Sequence, residues 1–218
     1  MRGKLLEALL RLKKLGSLLL KYKVIVIVLL VAVVGLLVWQ QQKASAENNW
    51  KKATDAYRRA NYDEAAKIIG DAKPPKDTDR LAIYSQTMLA TRQLDRAAEG
   101  YEKLYDAKKD PFAKLVLGNV YNQQKKYDEA AKIYQELIAS NPTYAQAYVN
   151  LSTLYKLQNK IGESIEIAQK GVKNNPNNTI LNELLVSMTM HEKDSKAYKD
   201  AVAQLKKLNP NDPLLLTQ

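Results

Sequence analysis

The chain has 218 residues, with 34 Lys or Arg against 23 Asp or Glu, a formal charge of +11, one His and no Cys. Without cysteine there is no disulfide, thiolate nucleophile, zinc knuckle, iron–sulfur cluster or lipidated cysteine, and His191 alone cannot build a multi-histidine metal site. At 46% hydrophobic and 26% charged residues the composition is that of a folded chain.

The charge is unevenly placed. Residues 1–23 hold Arg2, Lys4, Arg11, Lys13, Lys14, Lys21 and Lys23 against Glu7, seven less one, or +6 of the +11. An excess held in a tail before an apolar run argues against a nucleic-acid-binding surface on the main domain. Within this tail Leu5, Leu6, Leu9, Leu10 and Leu12 recur at helical spacing beside the bases. Two readings stand: an amphipathic helix lying on anionic headgroups of the inner leaflet, or a basic leader that only sets topology.

The next segment, opening with Val24 and closing with Trp39, reads VIVIVLLVAVVGLLVW without a charge. Sixteen apolar residues exceed a strand, and Tyr22 to Trp39 as a helix spans about 27 Å, near the ~30 Å hydrocarbon core, with Lys23 able to snorkel outward. The segment is therefore expected to cross the bilayer and contact lipid. Ala44-Ser45-Ala46 offers an alternative, a signal peptide cleaved after Ala46. The long apolar run, the long leader and the adjacent Lys43 favour a retained anchor. Lys14, Lys21 and Lys23 precede the span closely and Lys43 alone follows closely, which places the amino terminus in the cytoplasm and the larger domain outside it, at the cell surface or in the periplasm. Residues 40–46 read as a linker.

Beyond residue 47 a period of 32 to 34 residues appears. Tyr62-Asp63-Glu64-Ala65-Ala66-Lys67 returns as Leu94-Asp95-Arg96-Ala97-Ala98, as Tyr127-Asp128-Glu129-Ala130-Ala131-Lys132 and as Ile161-Gly162-Glu163-Ser164. Ile69, Tyr101, Tyr134 and Ala168 follow seven residues after the start of each core. Another amphipathic stretch precedes each core, at 50–60, 81–91, 112–124 and 148–158, so each unit is a helical hairpin. Asn141-Pro142 and Asn175-Pro176 stop two units 34 residues apart, because proline cannot extend a helix and disfavours helical geometry in its predecessor.

A 34-residue hairpin with Leu117-Gly118, Tyr121, Tyr127, Ala130, Tyr134 and Pro142 resembles a tetratricopeptide repeat. Units are expected at 47–75, 78–109, 111–144 and 145–176, with a degenerate cap at 179–210 and a tail at 211–218. The expected fold is all-α: a single transmembrane helix followed by an α-solenoid. Gly118 and Ala130 leave room for close helix approach, and Tyr121, Tyr127 and Tyr134 fill gaps between neighbours. Ser152 and Ser164 replace the glycine and the alanine in the next unit.

The resemblance implies a concave wall of first helices that binds a protein or peptide partner. Its expected lining is Leu115, Val116, Asn119, Asn122 and Gln123, then Gln146, Val149, Asn150, Thr153 and Lys156. Asn119 and Asn150 are spaced like the asparagines with which the family holds an extended peptide backbone, and Asn119, Gln123, Asn150 and Thr153 are the candidate binding residues. The carboxylate clamp of the chaperone-binding members is expected to be absent, since Leu115, Ile180 and Leu184 occupy its positions. His191, Asp194 and Ser195 carry the letters of a nucleophilic site at the wrong spacing, and no phosphate or dinucleotide motif occurs, so neither catalysis nor a cofactor is expected. Asn150-Leu151-Ser152 and Asn177-Asn178-Thr179 match the glycosylation pattern, with Asn150 expected inside a packed helix. The layout is similar to that of the ancillary subunit of the bacterial protein translocon. It implies a membrane-anchored, non-enzymatic scaffold in secretion or envelope assembly; the alternative is an oligomerising structural protein with no peptide ligand.

Overall fold

The computed structural model describes residues 2–216, without the side chains of 2–6, 8, 9 and 19. Ten α-helices follow one another among these residues, with no strand. The chain divides into two units, at Ala53 and Thr54 within α1 (Arg2–Arg58).

In the first unit α1 runs unbroken through the apolar segment, and residues 40–46, expected as a linker, are helical too. No proline or glycine interrupts Gln40 to Ala46, and Gln, Lys and Ala are good helix formers. The helix is long and apolar enough to cross a membrane, with a mean hydropathy of 2.7 over its most apolar window and none of that window buried. Leu29 and Trp39 remain 59% and 55% exposed. The Lys43 ammonium lies 5.3 Å from the centroid of the Trp39 ring. The leucine pattern at Leu5, Leu6 and Leu9, with Arg2 and Lys4, lies outside the described side chains.

The second unit is a succession of helical hairpins: α2 (Tyr62–Ile69) after the end of α1, α3 (Thr78–Ala90) with α4 (Leu94–Lys108), α5 (Pro111–Gln123) with α6 (Tyr127–Ser140), α7 (Ala145–Leu157) with α8 (Ile161–Asn174), and α9 (Thr179–Thr189) with α10 (Lys196–Leu208). α4, α6, α8 and α10 pack on their own first helices, α2, α4, α6 and α8 pack on the first helix of the next hairpin, and α5, α7 and α9 also touch in sequence. This is an α-solenoid.

Local chemistry sets the boundaries. Asp77, Asp110 and Asn178 accept hydrogen bonds from Arg80 N, Phe112 N and Leu181 N at 2.9–3.0 Å, capping α3, α5 and α9. Pro111 opens α5, where its missing N–H costs nothing. The second helices α4, α6 and α8 have no side-chain cap, but Asp95, Asp128, Glu129 and Glu163 oppose the helix dipole there. Within each of the first four hairpins one residue turns left-handed: Ala60, Arg92, Lys125 and Asn159, with φ of 57°, 58°, 62° and 60°. The next N–H then reaches back across the turn, as from Lys126 to Tyr121 O at 2.9 Å and Lys160 to Tyr155 O at 2.8 Å, closing a Schellman-type end. Asn141, Asn175 and Asn209, each before a proline, close α6, α8 and α10 with backbone bonds of 2.8–2.9 Å.

Small residues fix the spacing inside hairpins. A Cβ added at Gly118 would lie 2.6 Å from Tyr134 Cε1 and 3.0 Å from Ile133 Cγ2. Ala130 and Tyr134 are 0% and 1% exposed, whereas Tyr121 and Tyr127 are only half-buried. Ser152 and Ser164 do more than stay small: each hydroxyl donates to the other's carbonyl, at 2.8 and 2.7 Å, tying α7 to α8. In the segment read as a tail, Pro213–Leu215 forms a 3-10 turn capped by buried Asp212, and Leu214 and Leu215 pack against the buried core of the last hairpin. Burial and the neighbouring Asp212 carboxylate push the Glu183 carboxyl up.

Candidate functional site

The first helices α5 and α7 bring Asn119, Gln123, Asn150 and Thr153 around one cavity of about 290 Å³, together with Asn122 and Tyr134. These residues share a face because 119, 122 and 123, and likewise 150 and 153, are three or four apart on their helices. Asn119 and Asn150 are half-buried; Gln123 and Thr153 are exposed.

The asparagines are bonded to one another rather than independent. Asn150 Nδ2 donates to Asn119 Oδ1 at 2.7 Å, and the Tyr134 hydroxyl donates to the same oxygen at 2.7 Å. Gln146 Nε2 in turn donates to Asn150 Oδ1 at 2.8 Å. Both lone pairs of Asn119 Oδ1 are thereby used, so its remaining capacity is the two hydrogens of its own Nδ2. Asn150 keeps one donor hydrogen and one acceptor site. Burial pushes the Tyr134 hydroxyl up to about 12. The cavity thus has a neutral lining at ordinary pH, suited to polar uncharged groups.

Tyr134 enters the site although sequence reasoning assigned it to packing. It does both, since its ring is enclosed between α5 and α6 while its hydroxyl reaches Asn119. Leu115, expected in the groove, is instead 5% exposed: α5 has α4, α6 and α7 against it, and that packing encloses the side chain. Val116 and Val149 are half-buried, and Lys156 is exposed outside the cavity lining. At the positions of the carboxylate clamp, Ile180 is 54% exposed and Leu184 packs against the last hairpin's core.

Asp194 and Ser195 have structural partners. Ser195 Oγ accepts from Tyr198 N at 3.2 Å as the cap of α10, and Asp194 lies 3.5 Å from Lys199 Nζ. Among the described residues no cluster of His, Asp and Glu is placed to hold a metal ion. Of the glycosylation patterns, Ser152 is fully buried and Asn178 caps α9.

Two family models, both of the tetratricopeptide repeat, match residues 87–145 and 121–188. No curated protein matches the sequence. Among solved structures, MamA from residue 41 to its end, from Desulfovibrio magneticus RS-1, superposes with a TM-score of 0.58 at 20% identity, covering 78% of this chain and 97% of that one. A MamA RS-1 double mutant gives 0.58 at 20% identity over 76% and 95%. YrrB, a tetratricopeptide-repeat protein with an unusual peptide-binding site, gives 0.50 at 14% identity over 81% and 95%. At these identities the likeness shows the fold.

Proposed function

Because the chain belongs to the tetratricopeptide-repeat family, we propose that it is a membrane-anchored scaffold that holds an extended segment of a partner protein against its first helices. The observation that carries this is the cavity at Asn119 and Asn150, where uncharged amides converge on a solvent-open wall. Amides match the peptide group whatever side chain it bears, so the site suits backbone recognition rather than a particular charge. The repeat fold itself supports protein–protein interaction, and nothing in the site supplies a nucleophile, metal or cofactor cradle.

The anchor is read from α1. An exposed, uncharged stretch of helix with the Lys43 ammonium over the Trp39 ring at one end suits a bilayer with that pair at its interface. Ala44, Ser45 and Ala46 lie inside continuous helix, and proteolysis there requires local unfolding, which supports retention of the segment. The basic residues before the span orient the repeats outside the cytoplasm, where recruitment for secretion or envelope assembly would take place.

Photocrosslinkers at Gln123 and Thr153, the exposed members of the site, test the proposal in native membranes. Adducts with heterologous segments are expected at both. Adducts only between copies would favour an oligomerising structural protein instead. Since the chain has no cysteine, single cysteines at Gln40 and Asn177 report topology: both should react with an impermeant thiol reagent on intact cells, and labelling at Gly3 with Asn177 protected would reverse the orientation.

A further inference from the structure

The site among the first helices leaves the other wall of the array unexplained. A second cavity, of about 540 Å³, opens there between α8 and α10. Its apolar lining comes from Val172 on α8, Leu185 on α9, and Ala197 and Ala201 on α10. The two alanines stand one turn apart on one face, and their short side chains leave the room. A volume in this range accepts a bulky side chain with its neighbours, and the groove is open to solvent along its length, which suits a chain segment better than an enclosed small molecule.

The rim is charged. Lys173 reaches it from α8, and Lys196 and Asp200 from α10. Adjacent cations are neutralised: Lys170 lies 2.8 Å from Glu166 and Lys199 3.5 Å from Asp194. Lys173, Lys196 and Asp200 have no ion-pair partner among the described residues, so the groove mouth carries a net charge of two less one, +1. An apolar floor under a mouth of net charge +1, with the Asp200 carboxylate beside the Lys173 and Lys196 ammonium groups, favours an apolar side chain flanked by a carboxylate seated toward the lysines.

We propose that this groove docks an acidic segment of a partner protein, with an aliphatic or aromatic anchor over Ala197 and Val172 and an adjacent carboxylate between Lys173 and Lys196. Such a surface would let one copy hold two segments at once, one on each wall, and linking two weak contacts multiplies affinity without new contacts.

The test uses the full chain in zwitterionic nanodiscs, carrying methyl labels on alanine and valine, titrated with acetyl-Glu-Leu-Phe-Glu-amide. Saturable shifts are expected at the Ala197, Ala201 and Val172 methyls. Replacing the probe's glutamates by glutamine should weaken binding about two- to tenfold, as should Lys173→Gln with Lys196→Gln, and the preference should shrink at high salt. Ala197→Leu fills the groove and should abolish the shifts, while Lys173→Glu, an exposed substitution that preserves packing, should reverse the preference toward the lysine analogue of the probe. Equal affinity for acidic and amide probes would overturn the proposal, as would absence of shifts at millimolar peptide or shifts confined to the Asn119 cavity. If decanoate moved the same methyls and the peptide did not, the occupant would be a lipid-like carboxylate and the peptide assignment would fall.

Discussion

Gly118→Ala sets two effects of known sign against each other. In a helix interior alanine is favoured over glycine by about 0.8–1 kcal/mol. At Gly118, however, the new methyl would sit 2.6 Å from Tyr134 Cε1 and 3.0 Å from Ile133 Cγ2. The tyrosine ring cannot yield cheaply, being 1% exposed and tethered through its hydroxyl to Asn119 at 2.7 Å. Overpacking of this kind costs about 1–3 kcal/mol. Displacing the hydroxyl forfeits a hydrogen bond of about 0.5–1.5 kcal/mol. The propensity gain therefore loses, and the net destabilisation is about 0.5–3.5 kcal/mol. Gly162→Ala is the matched control, in the first turn of α8 with nothing within 4 Å of its added Cβ. There only propensity remains, and stability should rise by up to about 1 kcal/mol. Thermal melts of the full chain in nanodiscs, followed by circular dichroism, would read opposite shifts of roughly 2–4 °C per kcal/mol. A rise in both variants would refute the close packing of α5 on α6 at Gly118.

Further substitutions probe the turns, the buried tyrosines and the amide pair. Lys125 sits at φ 62° in the α5–α6 turn, so Lys125→Gly should stabilise by about 0.5–1 kcal/mol in urea melts, whereas a loss would mean that the turn tolerates a side chain without strain. Tyr101 and Tyr134 are held to about 12 by burial, while unfolded tyrosine ionises near 10. The native state then binds more protons between those values, so its stability is intact below pH about 10 and falls as pH rises toward about 12; Tyr101→Phe should move the alkaline midpoint of helix loss upward, and tyrosinate absorbance from every tyrosine near pH 10 with helix intact would contradict this. Asn119→Ala removes the acceptor shared by Tyr134 and Asn150 and should cost about 1 kcal/mol or more. Thr153→Ala, on the exposed rim, should stay within about 0.5 kcal/mol in the same melts.

What the sequence carried legibly was periodic. Asn141-Pro142 and Asn175-Pro176 mark hairpin ends because proline is a chemical stop, and Asn209-Pro210, legible in the sequence at the same 34-residue spacing, follows the end of α10. The left-handed turn residues were not legible, since Ala60, Arg92, Lys125 and Asn159 share no side-chain type; backbone geometry alone selects that conformation. The helical continuity of 40–46 is not legible, because composition changes there while helix propensity does not. At the candidate site the amide-bearing positions were visible from their spacing along first helices. Their mutual hydrogen bond was not, because it depends on how α5 and α7 approach. Leu115 was misplaced for the same reason: a first-helix register gives direction around one axis, while enclosure depends on three neighbouring helices.

Close approach of the paired helices is kept even where residue type is not, which explains how irregular repeats stack. Gly118 faces Ile133, fifteen residues on, whereas one hairpin earlier Ser85 faces Gly100 at the same spacing. A Cβ at Gly100 would lie 2.4 Å from Ser85 Oγ, so the glycine has moved to the other helix of the pair. In the following hairpin Ser152 stands at the Gly118 position and Ser164 at the Ala130 position, and the two join the helices by reciprocal hydrogen bonds. Each solution keeps the helices of a hairpin close, and close packing carries Tyr134 to within reach of Asn119. The amide wall at α5 and α7 is therefore set by small residues behind it. Asn119 is turned outward as a donor because its oxygen is committed inward. A partner chain in that cavity would meet Asn119 as a donor toward its carbonyl groups, while Asn150 alone of the pair retains an acceptor for its N–H groups.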